Sequence, residues 1–151
     1  MKKIFFVLLI MIFCISGCGS TKEQNPDSEV ENKYDLEGKL KKAEGDSAVL
    51  ENKLATDSSL KQMDMNQIAN EIYVIWDELL NDMWEEIKST LDEEVFNTLL
   101  AEQREWITDK EEQVKQAREA YGTGSLAPFA GARKAAELTK ARVYELAEYL
   151  K

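Results

Sequence analysis

The chain has 151 residues, with 29 acids against 19 bases, no histidine and two cysteines, for a net charge of −10. So acidic a chain is repelled by nucleic-acid phosphates, and without histidine it can form neither a His-based triad nor a histidine metal site. Glycine and proline are scarce while Ala, Leu, Glu, Lys and Gln are common, a helix-forming composition that suits one domain plus a tether.

Lys2 and Lys3 precede an unbroken apolar run, Ile4 to Ile15 (IFFVLLIMIFCI). As a helix this run reaches about 18 Å, short of the roughly 30 Å hydrocarbon core of a bilayer. A basic start, a short apolar run and small residues at its end read as a signal peptide over 1–17. Ile15-Ser16-Gly17-Cys18 is similar to a lipobox, the pattern at which bacterial lipoproteins are lipidated and cut. Small residues at 16 and 17 let an extended chain enter a peptidase, and the Cys18 thiol is a nucleophile able to take a diacylglyceryl group. This reading makes Cys18 the lipid attachment site and first mature residue, with Cys14 leaving in the signal. Two acyl chains anchor stably where one does not. The expected location is therefore the outer face of a cell membrane, and the Lys-Lys start with its Ile/Phe-rich run resembles Gram-positive signals. Loss of Lys2 and Lys3 with no acid takes the mature charge to about −12, which favours basic partners.

Residues 18–33 continue as CGSTKEQNPDSEVENK, almost without apolar side chains. Such a segment cannot offset its ordering entropy by burial, so a flexible tether is expected. Over 34–61 the apolar positions Tyr34, Leu36, Leu40, Ala43, Leu50 and Leu54 have partial helical spacing, interrupted by Gly38 and Gly45. The spacing predicts a marginal helical segment, one or two helices breaking near Gly45-Asp46.

A strong signal starts near Met63, where Ile68, Ile72, Ile75, Leu79, Met83 and Ile87 recur every three or four residues, widened by Trp76, Leu80 and Trp84. This predicts an amphipathic helix of about 25 residues. Thr90 and Glu93 are spaced as a capping box for a second helix over about 91–120, with an apolar stripe of Val95, Leu99, Trp106, Val114, Ala117 and Tyr121. Gly122-Thr123-Gly124-Ser125 ends it, since glycine tolerates positive φ after a helix. Ser125 is the expected cap of a third helix, with Pro128 in its first turn and Phe129, Ala132, Ala136, Thr139, Val143, Leu146 and Leu150 on one face. Short connections favour antiparallel neighbours. The expected fold is all-α: an up-down-up antiparallel three-helix domain over 62–151 behind a flexible, partly helical N-terminal tether.

Four stretches carry a family resemblance. WDELLNDMWEEIKSTL holds Asn81 and Trp84 in a Leu-Asn-x-x-aromatic helix, and LLAEQREWITDKEE holds Gln103 and Trp106 as Gln-x-x-Trp. YGTGSLAPF is a glycine-rich break, and LTKARVYEL holds Thr139 and Arg142 in a closing Thr-x-x-Arg-x-x-x-Leu. In order and spacing over about 60–150 they resemble the lysozyme inhibitor LprI-like family, small exported helical proteins, many of them lipoproteins. The resemblance implies binding of a lysozyme at the cell surface by occlusion, without chemistry. There are departures. Lys110-Glu111 stands where the family carries Arg-Asp, and lysine lacks arginine's two-pronged fork. Cysteines common in the family's second and third helices are missing, so packing alone must hold the hairpin.

Paired carboxylates at Glu85-Glu86, Asp92-Glu93-Glu94 and Glu111-Glu112 read as solvated helix faces, because a glycosidase needs its two acids about 5–10 Å apart in a cleft. No enzyme activity, cofactor or metal is expected. Trp76, Trp84 and Trp106 read as core, and Asn81, Gln103, Thr139 and Arg142 either bond between helices or face a ligand. Two surfaces are candidates for a partner: the acidic turn Asp92, Glu93 and Glu94, and the loop with Ser125, Leu126 and Phe129. The partner is either lysozyme or another basic extracytoplasmic protein. A different function also stays open, an accessory or structural envelope lipoprotein that binds another surface protein or a peptidoglycan fragment.

Overall fold

Where each helix starts and stops follows from local chemistry. In the computed structural model, which describes residues 34–151, α1 runs Leu36–Thr56 behind Asp35, whose side chain accepts from the Gly38 amide at 2.9 Å. The signal segment, Cys18 and the tether expected over 18–33 lie outside the described residues. α2 runs Gln62–Thr90, and the Asp64 carboxylate accepts from the Lys61 amide at 2.9 Å, satisfying a donor that the helix leaves free. α3 runs Glu93–Glu119 and α4 Ala127–Ala147, followed by a 3₁₀ turn at Glu148–Leu150. All four helices are connected without any strand among the described residues.

Three details differ from the sequence reading. α1 is one continuous helix through Gly45, not a broken segment. Thr90 does not cap α3. Its hydroxyl donates to the Glu86 carbonyl at 2.7 Å inside the last turn of α2, and Asp92 caps α3 by accepting from the Val95 amide. Ser125 does not cap α4, whose N-cap is Leu126 without a side-chain bond. Gly122 does adopt the expected left-handed backbone, at φ 55°.

The core lies between α2 and α4. α2 buries Ile68, Ala69, Ile72, Trp76, Leu79, Leu80, Met83 and Ile87, a face too wide for one neighbour. α4 answers with Ala135, Ala136, Thr139, Val143, Leu146 and Ala147. Contacts set the helix directions. Asn66 meets Ser125 and Trp76 meets Tyr144, so α2 and α4 run the same way. Lys39 pairs with Asp82 and Glu51 with Arg133, so α1 runs against both. Gln103 meets Arg142, and the Arg118 side chain covers Gly131, so α3 runs against α4. A side chain at Gly131 would meet the Arg118 methylenes at 2.5 Å, which accounts for glycine at that crossing.

The flanking helices bury little: only Ala43 and Ser47 in α1, and Leu99 and Gln103 in α3. The stripe read for α3 holds at Leu99, Trp106, Val114 and Ala117 and fails at its two ends. Val95 is 41 % and Tyr121 51 % exposed, whereas Phe96, Leu99, Gln103, Trp106, Lys110, Val114 and Ala117 face inward. Two polar residues, Gln103 and Lys110, occupy steps of the helical repeat that an apolar count skips.

Gly45 is exposed in mid-helix with nothing within 4 Å of where a side chain would begin. Gly45→Ala is therefore expected to raise stability by about 0.5–1 kcal/mol, read as a rise in the melting temperature by circular dichroism. A fall would mean that α1 is not a continuous helix.

Candidate functional site

Residues of the sequence motifs meet at the α3–α4 seam. Thr139 and Arg142 are one turn apart on α4, and Gln103 and Trp106 are one turn apart on α3, so each pair shares a face. Arg142 is 8 % exposed. Its Nε donates to Gln103 Oε1 at 2.8 Å and its Nη1 to Glu145 Oε2 at 2.8 Å. The guanidinium carbon lies 6.0 Å from the Trp106 ring centre, within cation–π range. Lys110 reaches the other side of the seam, with Nζ 4.8 Å from the Trp106 ring centre and 5.6 Å from that of Tyr73. A lysine thus serves here as a point charge against two rings, a role that needs no two-pronged fork.

A buried guanidinium is costly wherever one of its donors is left unmatched. The Nη2 of Arg142 and the hydroxyl of the fully buried Thr139 have no partner among the described residues. With Thr139 wholly buried and Arg142 nearly so, the seam lies inside the bundle. Trp84, by contrast, closes the α2–α3 end against Phe96, with ring centres 5.5 Å apart. Asn81 is exposed and does not bond between helices. It donates to the backbone carbonyl of Asp77, 2.8 Å away on its own helix.

The two candidate partner surfaces fall at opposite ends of α2. Asp92, Glu93 and Glu94 are exposed in the first turn of α3, where acids oppose the positive end of the helix dipole. Chain entry lies at that end too, since the Tyr34 hydroxyl donates to Asp82 at 2.7 Å. The 121–126 loop lies beside the start of α2, where Asn66 Nδ2 donates to the Ser125 carbonyl at 3.3 Å. Ser125 and Leu126 are exposed and Phe129 is half-buried.

One feature escaped the sequence reading. A groove of about 480 Å³ runs between α1 and α4 above Trp76. Lys140 Nζ stands 4.7 Å from the Trp76 ring centre and 2.8 Å from Glu44 Oε2, and the Arg133–Glu51 pair spans the same groove. The Tyr144 hydroxyl donates to Glu44 Oε1 at 2.6 Å. Hydrogen bonds from Lys140 and then Tyr144 hold the Glu44 carboxyl below its usual range. The bond to Glu44, with burial, pushes the Tyr144 phenol up to about 12. The partners are far apart in sequence, so no local pattern announces them. Trp76 itself is 1 % exposed and offers no stacking platform.

Among the described residues, no group of three or more Asp, Glu, Cys or His side chains is arranged to hold a metal. The family model of the lysozyme inhibitor LprI matches residues 54–146. The chain belongs to that family. The match spans α2, α3 and nearly all of α4, while most of α1 precedes it. Comparison with curated proteins and with solved structures finds no match. All of the motif residues, from Asn81 to Arg142, lie within the span matched to the LprI family.

Two measurements bear on this geometry. Gln103→Leu leaves the Arg142 Nε without its acceptor and should cost about 1–3 kcal/mol in chemical denaturation. The double change Gln103→Leu with Arg142→Met should recover much of that loss. Tyr73 is also raised to about 12, by burial and then by its bond to Asp77. Unfolded tyrosine ionises near 10, so the folded chain holds more protons than the unfolded one between pH 10 and 12, and stability falls as pH rises through that window. Denaturation across pH 9–12 should show the fall, and Tyr73→Phe with Tyr144→Phe should make it shallower, the remainder coming from Tyr34, which burial and its bond to Asp82 also raise.

Proposed function

We propose that this chain is a membrane-anchored extracytoplasmic lipoprotein that binds a lysozyme and occludes it, without chemistry of its own. Membership of the LprI family carries this reading. In it, Cys18 takes the lipid, residues 18–33 form a flexible tether, and α2–α4 act as an antiparallel three-helix unit buttressed by α1. Net acidity supports the reading further: lysozymes are commonly basic, and opposite charge speeds encounter. The α3–α4 seam keeps the unit rigid, and rigidity limits the entropy lost on binding.

The test adds the purified chain to a basic lysozyme and follows cell-wall lysis at low and at physiological salt. Inhibition at micromolar protein that persists at physiological salt is the expected outcome. No inhibition at high micromolar protein would overturn the reading. Inhibition that vanishes with modest salt would reduce it to charge attraction, since exposed charges are screened within about 8 Å at that ionic strength.

A further inference from the structure

We infer that the partner is met by the end of the bundle farthest from chain entry, a preformed tip made of the 121–126 loop and the first turn of α2, and not by the acidic turn at 92–94. This rests on the lysozyme-binding reading above and names its surface.

The tip gathers three exposed large apolar side chains on two neighbouring segments, although exposed apolar residues also occur elsewhere, such as Val49 on α1 at 69 %. Met63 is 75 % exposed, the highest value among the large hydrophobic side chains of the described residues, and Tyr121 and Leu126 are 51 % and 41 % exposed. The Asn66–Ser125 bond brings the loop carrying Leu126 against the α2 turn that begins at Met63. Exposed apolar side chains gathered at one end mark an interaction surface more often than scattered ones do.

The tip is also rigid. The Gly122 amide donates to the Glu119 carbonyl at 3.0 Å, Gly124 to Tyr121 at 3.0 Å and Ala127 to Gly124 at 3.0 Å. Gly122 takes a left-handed φ that other residues resist. A loop whose shape is set beforehand loses little freedom on binding. Between Tyr121 and Leu126 it carries only Gly, Thr, Gly and Ser, so it is narrow. A narrow convex tip with an apolar flank fits a concave cleft walled by apolar and aromatic side chains, such as the groove in which a glycan-cleaving enzyme holds its polymer.

Reach favours the same end. The 29 residues of α2 span about 44 Å. If residues 18–33 form the flexible tether proposed above, a coil of those 16 residues would average about 22 Å end to end. A globular partner of 100 residues, with a radius of gyration of about 13 Å, is about 34 Å across. At the chain-entry end such a partner is wider than the gap to the bilayer, whereas the loop end clears it.

The experiment places the full lipidated chain in vesicles and measures inhibition of a basic lysozyme. Leu126→Asn with Met63→Gln keeps the charge and puts a favoured residue at each helix position. It should weaken inhibition at least tenfold, with helicity unchanged by circular dichroism. Glu93→Gln with Glu94→Gln should stay within about threefold of the unaltered chain, and so should a tether shortened by removing residues 23–30. The inference is overturned if the unaltered chain inhibits while Leu126→Asn with Met63→Gln inhibits equally, or if shortening the tether abolishes inhibition. An unaltered chain that never inhibits overturns the lysozyme reading itself, and this surface with it.

Discussion

Burial of one wide apolar face on α2 is the constraint from which the rest of the molecule follows. Ile72, Trp76, Met83 and Ile87 are nearly or wholly removed from water, and each such side chain contributes roughly 1.5–3 kcal/mol or more on burial. One neighbouring helix cannot cover that face. α4 takes the centre, running in the same direction, and α1 fills the remaining strip against Trp76 and Leu79. Because α4 is held between two partners, its opposite side is available to α3, and the polar seam of Gln103 and Arg142 forms there.

The two flanks are attached by different physics. α1 is joined to the centre by half-buried leucines and by ion pairs whose side chains are about two-fifths exposed, such as Lys39–Asp82 and Lys140–Glu44. Pairs of that kind contribute little each, so they set register more than they set stability. α3 is joined through Leu99, through the Trp84–Phe96 contact and through a nearly buried guanidinium held by an amide. Breaking that last contact is costly because it strands a charge, which ties the Gln-x-x-Trp and Thr-x-x-Arg motifs to one another. In this chain the visible work of Gln103, Trp106 and Arg142 is to seat α3 on α4.

Much of this was legible in the residues. α2 and α4 carry uninterrupted apolar steps of three and four, and their buried faces follow those steps. The left-handed Gly122 was readable because a helix had to end there. What could not be read depends on contacts distant in sequence. α1 runs straight through Gly45 because packing on α2 outweighs the roughly 1 kcal/mol propensity cost of one glycine. α3 shows only the apolar part of its inner face, because Gln103 and Lys110 serve inside it as a hydrogen-bond acceptor and as a cation over two rings, roles invisible to hydropathy. Asn81, although part of a motif, is satisfied by its own helix. The groove above Trp76 joins residues nearly a hundred positions apart, Glu44 with Lys140 and Tyr144.

The direction of α1 has a mechanical consequence. Chain entry at Tyr34 lies at one end of the bundle, and α1 runs from there toward the other end beside α2 and α4. A pull on the N-terminal segment, opposed by anything gripping the 121–126 loop, acts along the helix axes. Under that geometry α1 can leave only by sliding lengthwise. The Lys39–Asp82, Glu44–Lys140 and Glu51–Arg133 pairs, with the leucines between them, are then strained together in shear rather than peeled off one after another. Individually weak attachments resist in parallel, so the helix that contributes least to the core is oriented to withstand tension along its length.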